Sequence, residues 1–137
     1  MLLDGLQLPL TTPFYPDGRL NLHKLEHNVE RYSKTPAAGL VALCDLGEPT
    51  LLSEEETRHV LRSVVAGAAV EKVLIAGVSR DSVAHTLELA ESAAEFGYDA
   101  VLVKRPSMLR GCRRTDEGAD GLFSGCGRPV GAACCVV

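Results

Sequence analysis

Residues 72–106, KVLIAGVSRDSVAHTLELAESAAEFGYDAVLVKRP, run from one apolar segment to another through an amphipathic one. Val73 to Val78 is apolar throughout, and so is Ala100 to Val103. Strands that lack alternation belong to parallel sheets covered on both faces. Between them, residues 82–96 predict a helix with Val83, Leu87, Ala90 and Ala94 turned inward, and Gly97 supplies its stop. The stretch is therefore one strand, its crossover helix and the next parallel strand.

Towards the N-terminus the same unit recurs. Gly39 to Cys44 is a second uniformly apolar strand, and Ser53 with Glu56 three residues on forms a capping box for the helix behind it. Glu54 and Glu55 occupy the first turn, where the helix dipole favours acids, and Val60, Leu61, Val64, Val65 and Ala68 make the buried face. Leu6 to Thr12 is the first strand. Pro9 within it suits an edge or a bulge, and Pro13 with the Pro16-Asp17-Gly18 turn closes it. A helix then starts behind Asn21 with Leu22, Leu25, Val29 and Tyr32 on one stripe. Strand starts near Leu6, Gly39, Lys72 and Asp99 lie 33, 33 and 27 residues apart. We expect parallel strands near 6–12, 39–44, 73–78 and 100–104. A closed (β/α)8 barrel needs about 250 residues, and this chain has 137.

Beyond Pro106 the period disappears. Residues 111–137 hold six glycines and four of the five cysteines, and only Ala132 to Val137 forms a short apolar run. Such composition offers no face to bury against chain entropy. The chain accordingly divides into residues 1–106, the first four strands of a barrel, and residues 107–137, a disordered or aberrant tail of the kind an out-of-frame reading produces. Cys112, Cys126, Cys134 and Cys135 are not spaced as zinc ligands. The adjacent pair reads either as incidental thiols or as a vicinal disulfide.

The net charge of −4 gives no electrostatic reason to bind nucleic acid or an anionic membrane, and no apolar run approaches a membrane span. Met1 to Asp4 lacks the basic start of a signal peptide. A cytoplasmic protein is expected.

The motifs Pro9-Leu10-Thr11-Thr12-Pro13-Phe14, Asp17-Gly18, Gly47-Glu48, Leu52-Ser53-Glu54-Glu55-Glu56 and Val73-Leu74-Ile75-Ala76-Gly77-Val78 occur in that order. Together they resemble the dihydrodipicolinate synthase and N-acetylneuraminate lyase family, which includes the 4-hydroxy-2-oxoglutarate aldolases. The similarity covers about residues 3–106. It implies a (β/α)8 TIM barrel, usually tetrameric, that binds pyruvate or another 2-oxo acid as a Schiff base on a lysine of the sixth strand, with an acid/base tyrosine on the fifth. Neither strand is expected in this chain.

Two further departures concern the pocket. Where family members carry Gly-[Ser/Thr]-Thr-Gly-Glu after the second strand, this chain has Cys44, Asp45, Leu46, Gly47 and Glu48. Only Gly47 and Glu48 carry over. Leu46 removes a donor, and Asp45 sets a like charge where an anion should bind. After the fourth strand the family's Pro-Pro-Tyr-Tyr becomes Arg105-Pro106-Ser107-Met108-Leu109, without the relay tyrosine. The resemblance thus implies a truncated class I aldolase or lyase, inactive as this chain, with no catalytic residue, no metal and no cofactor. Thr11, Thr12, Asp45, Gly47 and Glu48 would be remnants of its 2-oxo acid pocket. The alternative is a non-catalytic α/β interaction module that self-associates through exposed edges of its first and fourth strands.

Other candidates have simpler readings. Lys104 ends the fourth strand as a solvated lysine, and Lys72 lies at the opposite end of the sheet. His23-Lys24-Leu25-Glu26-His27 matches a His-x-x-Glu-His zinc pattern, but both histidines fall opposite the apolar stripe and face solvent. His59 and His85 read as surface residues. The turn from Gly77 to Ser82 either holds an anion at a helix N-terminus or is capped by Ser79 or Asp81.

Overall fold

In the computed structural model, residues 2–104 and 133–136 are described. They form five parallel strands, β1 (Gln7–Pro9), β2 (Gly39–Ala42), β3 (Val73–Gly77), β4 (Ala100–Val103) and β5 (Ala133–Val136), in spatial order 1-2-3-4-5. Helices α1 (Leu22–Ser33), α2 (Glu54–Gly67) and α3 (Val83–Phe96) make the first three crossovers. Sequential order with a helix in each connection winds the sheet in one direction, so all three helices lie on the same face. Leu40, Ala42, Leu74, Ala76, Val101 and Val103 point to that face, where they meet Leu25 and Val29 of α1, Val60, Leu61 and Val64 of α2, and Leu89, Ala90 and Ala93 of α3. No described helix is long and apolar enough to cross a membrane.

The helix starts follow the sequence. Asn21 Oδ1 accepts from Lys24 N at 2.9 Å to cap α1. The Ser53–Glu56 box is complete: Ser53 Oγ accepts from Glu56 N at 3.2 Å and Glu56 Oε2 accepts from Ser53 N at 2.9 Å. Accepting from Ser53 N and from Ser53 Oγ, each at 2.9 Å, holds the Glu56 carboxyl below its usual range. Gly97 ends α3 in the left-handed conformation, with φ 101°. His23, His27, His59 and His85 are all exposed, and no group of His, Cys, Asp or Glu among the described residues is placed to hold a metal.

Three expectations need correction. The buried face of α3 is Thr86, Leu89, Ala90 and Ala93, whereas Val83 is exposed. A threonine can occupy that stripe because Thr86 Oγ1 donates to Ser82 O (3.0 Å) and accepts from Arg80 N (3.1 Å), so its burial leaves nothing unmet. The second strand stops at Ala42 because Leu43 turns to φ 55°. Finally, a fifth strand is present against expectation and β4 is not an edge, since β5 pairs with it in parallel from Ala100↔Ala133 to Val103↔Val136. The reading of residues 107–137 as a disordered tail falls mostly outside the described residues. At Ala133–Val136 the chain is a strand instead.

Close approaches set the strand spacing. A Cβ at residue 77 would lie 2.1 Å from Leu43 O, and one at residue 39 would lie 2.1 Å from Gln7 Oε1. The Gln7 amide is buried with neither its oxygen nor its nitrogen hydrogen-bonded. Tyr98, between α3 and β4, is 3% exposed and donates its hydroxyl to Leu61 O of α2 at 3.0 Å. Burial pushes its phenol far above the ordinary range. At the N-terminal ends of the strands Lys72 Nζ donates to Thr35 O and Ala37 O at 2.8 and 2.7 Å, closing the carbonyls that follow α1.

Candidate functional site

Parallel α/β sheets bind ligands beyond the carboxyl ends of their strands. In this chain that end is built from Leu10 to Pro13 after β1, the segment 43–52 after β2, Val78 to Ser82 after β3 and Lys104 after β4.

The loop after β2 carries most of the candidate residues. Leu43 (φ 55°) and Glu48 (φ 51°) are the two non-glycine residues with positive φ among the described residues, and between them Asp45–Gly47 forms a single 3-10 turn. A second such turn, Pro49–Leu51, leads to the N-cap of α2. Gly47 is buried, and Thr12 Oγ1 donates to its carbonyl at 2.7 Å. This bond joins the loops after β1 and β2. A Cβ at 47 would sit 3.3 Å from Leu10 O, so the glycine keeps the two loops in contact.

Thr12, Asp45 and Gly47 are thus brought together. Thr11 is exposed beside Thr12, and Glu48 is exposed, its backbone bonded to Asp45 and Leu51 within the loop. Thr12 spends its hydroxyl proton on Gly47 and is 8% exposed, so it holds the loop rather than offering that proton to a ligand. Leu46 is exposed at the rim.

Lys104 is not a free, solvated lysine. Its Nζ forms an ion pair with Asp45 Oδ1 across the ends of β2 and β4. The lysine side chain is 27% exposed and the aspartate 72%. The backbone N–H of Lys104 donates to Ser79 Oγ at 2.8 Å. Ser79 therefore does not cap α3, as the sequence led us to expect, and Asp81 does not either. The N-cap is Ser82, with no side-chain bond to the first turn.

Arg80 is a residue that the sequence reading passed over. Its Nε donates to Glu54 Oε1 (2.9 Å), Nη2 to Thr57 Oγ1 (3.1 Å) and Nη1 to Ser79 O (3.1 Å). Two of these bonds turn the guanidinium onto the start of α2 and, among the described residues, leave Lys104 as the cation at the strand ends. No local signal marks either pairing, because Asp45 and Lys104 are 59 residues apart and Glu54 and Arg80 are 26 apart.

A family model described as the dihydrodipicolinate synthetase family matches residues 2–115. The chain is 37% identical over 106 residues to a 4-hydroxy-tetrahydrodipicolinate synthase from Methanothrix thermoacetophila, covering 77% of this chain and 35% of that protein. It is 30% identical over 105 residues to the enzyme of the same name from Coxiella burnetii, covering 77% and 36%. Among solved structures it resembles N-acetylneuraminate lyase from Mycoplasma synoviae, with a TM-score of 0.87, 24% identity, and coverage of 98% of this chain and 46% of that one. Dihydrodipicolinate synthase from Bacillus clausii gives 0.87 and 23% over 98% and 45%. At these identities the structural likeness concerns the fold, which is the N-terminal half of a (β/α)8 barrel. The chain spans about a third of the length of the curated relatives it matches.

Proposed function

Since this chain belongs to the dihydrodipicolinate synthetase family, a family of lyases, we propose that it retains part of a 2-oxo acid pocket but performs no Schiff-base chemistry itself. The observation that carries this reading is the Asp45–Lys104 pair. The sequence has four lysines, Lys24, Lys34, Lys72 and Lys104. Lys24 is on an exposed face of α1, Lys34 caps its C-terminal end, and Lys72 is at the wrong end of the sheet. Lys104 alone stands where a 2-oxo acid would bind, and imine formation requires a neutral amine free to attack the keto carbon. An ammonium held by a carboxylate meets neither condition.

Thr11, Thr12, Asp45, Gly47 and Glu48 are then remnants of the pocket, with Gly47 and Thr12 preserving its shape. Incubation of the chain with pyruvate and borohydride, followed by intact-mass measurement, tests the reading. We expect no adduct. A stoichiometric reduced imine mapped to Lys104 refutes it.

A second reading, association through strand edges, is favoured by β1, which among the described residues pairs with β2 alone. An unpaired parallel edge beside the buried, unbonded Gln7 amide invites a further strand. On this reading the chain self-associates at micromolar concentration, and a monomer by light scattering rules it out. A cytoplasmic setting suits the free thiol of Cys44.

A further inference from the structure

We propose that Lys104 is the anchor of a small-carboxylate subsite at the strand ends, and that Asp45 is a built-in carboxylate occupying it, which an incoming anion must displace. The inference rests on the 2-oxo acid reading above and adds to it a named cation and a named competitor. Three observations carry it.

First, Lys104 is positioned, since its main chain is tied to Ser79 Oγ and its side chain is three-quarters buried. The stem is ordered before any ligand arrives, so little rotamer entropy is lost on binding. Second, among the described residues the other cation at this end is spent: Arg80 has Glu54, Thr57 and Ser79 as partners and faces α2. Lys104 meets a single carboxylate oxygen. Third, that carboxylate is mostly in water, at 72% exposure, and sits on a loop with two left-handed residues at its ends. Ion pairs of this exposure are weak. An external carboxylate therefore exchanges with Asp45 at small cost, and the two cannot both contact the ammonium without repelling each other.

The chemistry selects a small carboxylate. A lysine ammonium is a compact point charge without the bidentate fork of an arginine, so it takes one oxygen of an anion in whatever orientation the neighbouring loops permit. Gly47 and Thr12 already hold those loops closed on each other, and the ligand takes the place of the aspartate carboxylate it displaces.

Oxalate and pyruvate serve as probes, titrated calorimetrically at low ionic strength into the full chain and its D45N, K104M and D45N/K104M variants, each checked for native circular dichroism. Replacing Asp45 removes one negative charge at contact distance in a solvated setting, which corresponds to an affinity gain of about five-fold. We expect oxalate to bind D45N about five-fold more tightly than the unmodified chain, and to bind neither variant that lacks Lys104. Raising the salt concentration should erase the difference. Equal affinity of D45N and the unmodified chain, with binding lost in K104M, overturns the competitor role of Asp45 while leaving the 2-oxo acid reading in place. Undiminished binding to K104M overturns the anchor. If pyruvate and oxalate bind none of the four proteins, the 2-oxo acid reading and this inference fall together.

Discussion

Replacing Tyr98 with phenylalanine should destabilise the chain at neutral pH and stabilise it in strong base. The phenol is 3% exposed and its hydroxyl donates to Leu61 O at 3.0 Å. Leu61 lies inside α2, so its carbonyl remains a helical acceptor after the substitution, and nothing is left unmet. Only the net worth of one neutral hydrogen bond is lost, about 1 kcal/mol at pH 7. In the other direction, burial raises the folded phenol's pKa, while the unfolded phenol titrates at about 10. The raised value means that the contribution of Tyr98 is fully present below about pH 10. It is lost as the pH rises further, because the unfolded chain releases a proton that the folded chain keeps. The loss is about 1.4 kcal/mol per pH unit above that point, and phenylalanine has none of it. The stability difference between the two proteins should therefore shrink above pH 10 and change sign between about pH 10.5 and 11. Urea unfolding followed by far-ultraviolet circular dichroism at pH 7, 10 and 11 measures it, and titrations shared by both proteins cancel in the difference. A difference that stays constant with pH would mean that the phenol ionises in the folded chain as readily as in water, and that the reasoning from its burial is wrong.

Two other outcomes can be checked in the same way. Gly77→Ala places a Cβ 2.1 Å from Leu43 O and 2.6 Å from Leu43 C, both backbone atoms that cannot swing aside; we expect a loss of about 3 kcal/mol or more, and an unchanged urea midpoint would show that the β2–β3 spacing yields there. Glu56 has a lowered pKa, so the capping box is intact above the ordinary glutamate value of about 4.3 and fails as the pH falls through the lower folded value. Hydrogen exchange at the first-turn amides of α2 should accelerate in acid, and Glu56→Gln, which has no titratable carboxyl to accept from Ser53 N, should remove that pH dependence.

Local signals made much of this architecture legible. The apolar runs at β3 and β4, the Ser53–Glu56 box and the Gly97 stop each lie within a few residues, and the chain needs no distant partner to form them. The buried face of α3 was misplaced because a search for apolar residues passes over Thr86, whose hydroxyl is satisfied by Arg80 and Ser82. The end of β2 was placed too late because nothing in Leu43 announces a left-handed backbone. Thr12 and Gly47 lie in motifs that are legible in order along the chain, and Asp45 in a departure from one. The Thr12–Gly47 bond and the Asp45–Lys104 pair were not legible, because they join residues 35 and 59 positions apart. The pairing of β4 with β5 was likewise hidden, since a short apolar run in a glycine-rich stretch carries no sign of its neighbour.

Position 77 has no side chain, yet it governs the electrostatics of the strand ends. Leu43, at φ 55°, holds its carbonyl over Gly77, and two residues further on Asp45 reaches Lys104. A larger residue at 77 would meet the backbone of Leu43, two residues before Asp45, so any shift that relieved the clash would also move the aspartate relative to the lysine. Neither residue can change first without disturbing the other, so positions 43 and 77 should be exchanged in evolution only as a pair. In lineages where they are exchanged, the charge arrangement at residues 45 and 104 should be different as well.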